Sequence, residues 1–146
     1  MNAAKGAYVL LIYLDAASCI TIGRFGTHRF PRGWYLYVGS AYGPGGLSAR
    51  LSRHGRRDKR RHWHIDYLLD QALLEGNWTL HALPKVECAL AATLAREPGF
   101  QILVPRFGAS DCRCEGHLIY TPSRPDPLAI ESVLQGIAEG VRRSCG

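Results

Sequence analysis

From Gly6 the chain runs Ala7-Tyr8-Val9-Leu10-Leu11-Ile12-Tyr13-Leu14, apolar at nearly every position. A run without in-out alternation has the length and pattern of a strand covered on both faces, which predicts a central strand. Cys19 to Phe30 instead alternates β-branched and polar residues around Gly23 and Gly26, the pattern of short edge strands joined by turns. After the turn Pro31-Arg32-Gly33, residues Trp34 to Val38 predict a strand ending at Gly39, with Tyr35 and Tyr37 on one face and Trp34, Leu36 and Val38 on the other. Gly43-Pro44-Gly45-Gly46 breaks the chain. Leu47 and Leu51 then lie four apart, as do Arg50 and His54, so a helix here sets an apolar stripe beside one of guanidinium and imidazole. Ile65 to Glu75 predicts a second helix with Ile65, Leu68, Leu69 and Ala72 inward. Pro84 opens a third, in which Val86, Ala89, Leu90, Thr93 and Leu94 keep helical period until Pro98-Gly99. Phe100–Val104 and His117–Thr121 read as late strands around an irregular segment from Gly108 to Cys114. Asp126 caps, and Pro127 starts, a terminal helix with Ile130, Val133, Leu134, Ile137 and Val141 at helical spacing. No repeat, linker or low-complexity tract interrupts this order, and a single domain over residues 1–146 is expected.

With 146 residues, 47% apolar and 21% charged, the chain can build one ordinary core. Its net charge of +6 is concentrated. Arg50, Arg53, Arg56, Arg57, Lys59, Arg60 and Arg61 face only Asp58 within their segment, and elsewhere bases and acids cancel. Such a patch suits a polyanion; the alternative is a solvated helix end and loop. No signal-peptide succession follows Met1, and no apolar stretch approaches the roughly 20 residues of a membrane span, so a cytoplasmic protein without membrane contact is expected. Five cysteines at irregular spacings make a poor disulfide framework and fit a reducing compartment.

The segment from Tyr35 to Asp66 gathers tyrosines, arginines and histidines, groups that move protons and hold phosphate. Gly6-Ala7-Tyr8 on a first strand, Tyr37-Val38-Gly39 on a later one, Arg50 and His54 on a helix and Glu87 on a further helix together resemble the GIY-YIG nuclease superfamily. Tyr-Val-Gly-Ser-Ala, His-Trp-His-Ile-Asp-Tyr-Leu, Glu-Cys and Phe-Gly-Ala-Ser-Asp-Cys-x-Cys are more closely similar to a prokaryotic GIY-YIG-like branch, over roughly Gly6 to Tyr120. The resemblance implies an α+β fold, a small and mainly antiparallel sheet flanked by helices, with a hairpin inserted between the two tyrosine strands. That insertion would account for the 29 positions separating Tyr8 from Tyr37.

It also implies an endonuclease acting on nucleic acid, DNA before RNA, with Mg²⁺ or Mn²⁺. Hydrolysis of a phosphodiester needs a base for water, positive charge for the phosphate and a Lewis acid, and a single carboxylate suits Mg²⁺. Glu87 matches the metal ligand and Arg50 the phosphate-binding arginine. Tyr8 and Tyr37 match the motif tyrosines, one of them the base, which positive charge must assist because an ordinary tyrosine titrates near 10. His54 shares the Arg50 face, and His64 resembles a second histidine of homing-type members. Arg53, Arg56, Arg57, Lys59, Arg60 and Arg61 would bind the nucleic acid. The superfamily's late asparagine has no counterpart, and Ser110 and Asp111 are the candidates to replace it.

Cys112-x-Cys114-x-x-His117, with Cys88 as a fourth, offers soft and imidazole ligands suited to zinc; buried inert thiols are the alternative. A zinc-stabilised nucleic-acid-binding module that cuts nothing therefore stands beside the nuclease. Sequence is silent on oligomeric state.

Overall fold

A computed structural model describes residues 4–56, 60–81, 86–109 and 112–145, the last five by their backbone alone. The long apolar run forms β1 (Gly6–Leu14), which pairs antiparallel with β4 (Gly33–Ala41) on one side. On its other side it pairs with β5 (Leu73–His81), and β6 (Leu118–Thr121) closes the far edge, giving the order β5-β1-β4-β6. Between β1 and β4 the chain inserts a separate hairpin of β2 (Ser18–Thr21) and β3 (Thr27–Phe30), joined by a tight turn at Gly23–Phe25. The helices are α1 (Gly46–Gly55), α2 (His64–Leu69), α3 (Glu87–Ala95) and α4 (Pro127–Cys145). This is an α+β fold on an antiparallel sheet.

Strand alternation divides the core between the two faces of the sheet. Tyr8, Leu10 and Ile12 share one face with Tyr35 and Tyr37, and meet Leu47 of α1, Ile65 and Leu68 of α2, the hairpin residues Ile22 and Phe30, and Phe107. Ala7, Val9 and Leu11 share the opposite face with Leu36 and Val38, under Leu90 and Leu94 of α3 and Ile130 and Leu134 of α4. Both faces of β1 are therefore covered, the reason its sequence does not alternate.

Three local expectations are corrected. The helix expected from Ile65 to Glu75 stops at Leu69, and Leu73 onward is strand β5. Leu74, Gly76, Trp78 and Leu80 turn partly inward while Glu75, Asn77, Thr79 and His81 are exposed, a period of two that Gly76 and Asn77 obscure locally. The ladder to β1, broken only by a register shift between Leu11 and Ile12, overrides helical propensity. Phe100–Val104 is not a strand: Gln101 makes one isolated bridge to Tyr120, while Phe100 and Ile102 pack under the sheet. On α3 the inward face is Leu90, Ala91 and Leu94, and Ala89 is exposed. Pro84 lies outside the described residues. At α4 the expected cap is present, with Leu128 N–H donating to Asp126 Oδ1 at 3.0 Å. Among the described residues no helix is long and apolar enough to cross a membrane.

Candidate functional site

A cleft of about 520 Å³ opens beside the sheet, and Tyr8, Tyr37, Arg50, His64 and Glu87 line it. Five separate elements deliver them. Tyr8 of β1 lies opposite Gly39 of β4, and a Cβ on Gly39 would stand 2.4 Å from the Tyr8 ring and hydroxyl. The glycine after Tyr37-Val38 is therefore the seat on which the Tyr8 ring lies. Gly6 answers a different constraint, since a Cβ there would meet the Leu80 carbonyl oxygen at 2.1 Å and push β5 off the sheet.

His54 stands behind the cleft, not in it. Buried on α1, it places Nε2 2.7 Å from the Tyr8 hydroxyl, while its ring tilts against Tyr8 at 5.4 Å. Burial pushes the Tyr8 phenol up to about 12 against the opposing charge of Arg50, so Tyr8 holds its proton unless a neighbour takes it. Arg50, one turn before His54, donates to the Ser40 carbonyl at 2.9 Å and lies 4.3 Å over the Trp63 ring, which fixes its direction at the cleft wall.

The basic segment divides in two. Arg53 is structural in its contacts: both terminal nitrogens meet the Asp66 carboxylate at 3.0 Å, one also donates to the Arg60 carbonyl, and the guanidinium covers Trp63. Asp66 is fully buried and also accepts from the backbone N–H groups of His62 and Trp63. Burial alone would raise its pKa, but the Arg53 hydrogen bonds, the two N–H groups and the Arg53 charge outweigh that and hold the carboxyl below its ordinary value. This knot opens α2 and aims His64. Arg56, Arg60 and Arg61 are exposed, Arg61 pairing with Asp70 at 3.3 Å; Arg57 and Lys59 lie outside the described residues.

Gly108 N–H donates to His64 Nδ1 at 2.9 Å, so the neutral ring carries its proton on Nε2. Phe25 of the hairpin stacks on that ring at 4.4 Å, and burial, helped by nearby His28, lowers the His64 pKa. His64 is thus a neutral hydrogen-bond donor at the cleft.

Glu87 opens α3, and its buried Oε2 has no hydrogen-bond partner among the described residues. An orphaned carboxylate oxygen is costly unless something positive or protic meets it, so this donor fits a hard divalent cation. The next residue begins a second constellation. The ligand atoms of Cys88, Cys112, Cys114 and His117 all lie within 4.8 Å of one another, a Cys₃His set able to hold a metal ion. His117 Nδ1 is 3.2 Å from the Val38 carbonyl, which can only accept, so the ring's other nitrogen faces the thiols with its lone pair, 3.6 Å from Cys112 Sγ and 3.9 Å from Cys88 Sγ. Burial first, then mutual interaction, raises the Cys88 thiol pKa, and burial raises that of Cys114. A cation among them would reverse this.

Three supports of the site carry no signal of that role in the sequence: Asp66, Trp63 and Arg106. Arg106 has the only positive φ of a non-glycine among the described residues, 70°. Its guanidinium donates to the carbonyls of Ala109, Cys112 and Cys114 at 2.5 to 2.6 Å, bracing the loop that carries the thiols. No local pattern marks an arginine that serves backbone carbonyls. Ser110 and Asp111, the candidates for the missing asparagine, lie outside the described residues.

No curated protein matches the chain significantly. No solved structure does so either. The family described as "Domain of unknown function DUF123" matches residues 7–138, spanning both tyrosine strands, α1, Glu87 and the thiol loop. By that match over most of its length, the chain belongs to the DUF123 family.

Proposed function

We propose that the protein is a divalent-metal-dependent endonuclease that hydrolyses phosphodiester bonds of nucleic acid, DNA before RNA, through chemistry of the GIY-YIG type. The observation that carries this reading is the meeting in one cleft of a tyrosine backed by histidine, an arginine, a neutral histidine donor and a carboxylate one of whose oxygens has no partner among the described residues. Their order in sequence, with the glycine seat under Tyr8, supports it further.

Each group has a role its surroundings suit. With its pKa pushed up to about 12 the Tyr8 phenol is protonated at neutral pH, so it relays: His54, in the tautomer protonated on Nδ1, receives the phenol proton at Nε2 while the phenol oxygen takes one from water. Arg50 meets the phosphate as its charge grows, in an orientation fixed by Trp63 and Ser40. His64 donates its Nε2 proton to a phosphate oxygen without adding a charge. Tyr37, 6.5 Å from Tyr8 between ring centres, walls the site. Glu87 would hold Mg²⁺ or Mn²⁺, whose chemistry is to act as a Lewis acid toward phosphate and leaving oxygens. The exposed Arg56, Arg60 and Arg61 would follow the backbone of the nucleic acid outside the cleft. For the Cys₃His centre we assign Zn²⁺, because three thiolates and an imidazole are soft and borderline donors.

Assay of branched, single-stranded and duplex substrates with Mg²⁺ or Mn²⁺ tests the proposal. Cleavage is expected, and Glu87→Ala is expected to remove it with folding and binding retained. A parent protein that binds nucleic acid with ordinary salt dependence but cuts none of these would replace the nuclease with the zinc-stabilised binding module.

A further inference from the structure

Glu87 and Cys88 are consecutive, and the cleft wall passes from one directly to the other: Cys88, Cys112 and His117 line the same cleft as Glu87 and Tyr37. The thiol loop reaches the cleft at two further points. Gly108 N–H is the donor that sets the His64 tautomer. Gly108 sits at φ +73°, where a Cβ would come within 3.0 Å of the Tyr37 ring, so this backbone also packs closely against that tyrosine. On the sheet side, Val38 N–H donates to the His117 carbonyl at 2.9 Å while His117 Nδ1–H returns to the Val38 carbonyl, pinning the loop to β4 beside Tyr37.

We propose that a zinc ion held by Cys88, Cys112, Cys114 and His117 aligns the neighbouring cleft, so that Glu87 and His64 take their working positions only in the zinc-loaded chain. The linkage is mechanical. Cys88 comes from α3, whereas the other three ligands come from one loop, so the ion is the bond between two elements otherwise joined here by weak thiol contacts. Binding it converts thiols into thiolates, with their protons released to solvent, and replaces weak thiol contacts with four metal–ligand bonds. With the ion removed, α3 and the loop separate, Glu87 moves with the helix start, and Gly108 no longer holds His64 to one tautomer. Arg106 acts at one remove as a positioning residue, tying three loop carbonyls so that Cys112 and Cys114 face inward before the ion arrives. Two metals of different character would thus divide the work, a soft-ligand zinc fixing geometry and a hard cation at the carboxylate. The inference rests on the nuclease reading only in taking Glu87 as the ligand of that hard cation.

The experiment uses the full chain purified without chelators. Zinc content by mass spectrometry should be one ion per chain. Nitrogen NMR of the His64 ring and Mn²⁺ affinity by electron paramagnetic resonance are then followed as zinc is withdrawn and returned. His64 should show one tautomer when loaded and a mixture when stripped, with Mn²⁺ affinity falling at least about tenfold. Nucleic-acid binding through the exposed arginines should change less. Cys114→Ser removes a ligand that does not line the cleft, and should behave as the stripped chain. Should the stripped chain unfold, Arg106→Ala keeps all four ligands and gives the same test: zinc affinity about tenfold weaker or more, with His64 and Mn²⁺ binding tracking zinc occupancy throughout the titration. A chain that retains no zinc, or whose His64 ring and Mn²⁺ affinity ignore zinc occupancy, overturns the inference. If both respond to zinc while no nucleic acid is cut, the nuclease reading falls and the zinc linkage stands.

Discussion

Gly39, Asp66 and Arg50 show how much of this molecule is decided by single atoms. Gly39→Ala would drive a methyl group into the Tyr8 ring, so it should cost about 1–3 kcal/mol in a urea melt and remove activity by displacing the tyrosine from His54. Asp66→Asn leaves Arg53 without its buried partner and should cost about 3 kcal/mol. The same carboxyl gives the fold an acid limit. Its folded pKa lies below the ordinary 3.8, so in the window between them the unfolded chain binds the proton and the folded chain does not. The stabilisation is complete above 3.8 and is lost as pH falls through the folded value; thermal melts of parent against Asp66→Asn should differ most above 3.8 and draw together as the pH is lowered below it. Arg50→Lys keeps the charge but loses the planar contact with Trp63, and should reduce kcat far more than binding.

Among elements, the inserted hairpin has a task its sequence did not announce. Its turn presents Phe25 to His64 and, edge-on at 6.3 Å, to Phe107, so a piece that looks like a peripheral ornament backs the His64 side of the cleft. Phe25→Ala should admit water to His64. The burial that depresses that imidazole would then relax, and its pKa measured by NMR should rise toward 6.5 while the sheet core stays intact. An unchanged titration would mean that the hairpin does not shelter the ring. β5 illustrates the opposite case, an element whose alternation is present in the sequence but whose identity depends on β1 as partner.

For the molecule as a whole, the net charge of +6 arises in one segment whose described residues divide into the half-buried Arg50 and Arg53 and an exposed fringe of Arg56, Arg60 and Arg61. Neutralising Arg56, Arg57, Arg60 and Arg61 should lower the salt slope of nucleic-acid binding by about 3 to 4 and leave sequence preference alone. An unchanged slope would assign the fringe to some other partner. The segment also explains the order of the motifs: it begins on α1 with Arg50 and His54, His64 follows it on α2, and the Arg53–Asp66 pair joins the two helices.

The sequence by itself determined the covered strand at Gly6–Leu14, the short strands and turns between Cys19 and Phe30, α1, the capped terminal helix, and the residue types from which the cleft is made. These rest on local physics: side-chain period, turn residues, caps and the chemistry of individual groups. Tertiary structure alone decided that Leu73–His81 is a strand, that Phe100–Val104 is not, and that Arg53 serves Asp66. It also decided that His54 backs Tyr8, and it brought Cys88 across the fold to the Cys112, Cys114 and His117 with which the sequence had grouped it by ligand type. Each of these depends on a partner distant in sequence, and the free energy of such a pairing is carried by the contact itself, which no local pattern records.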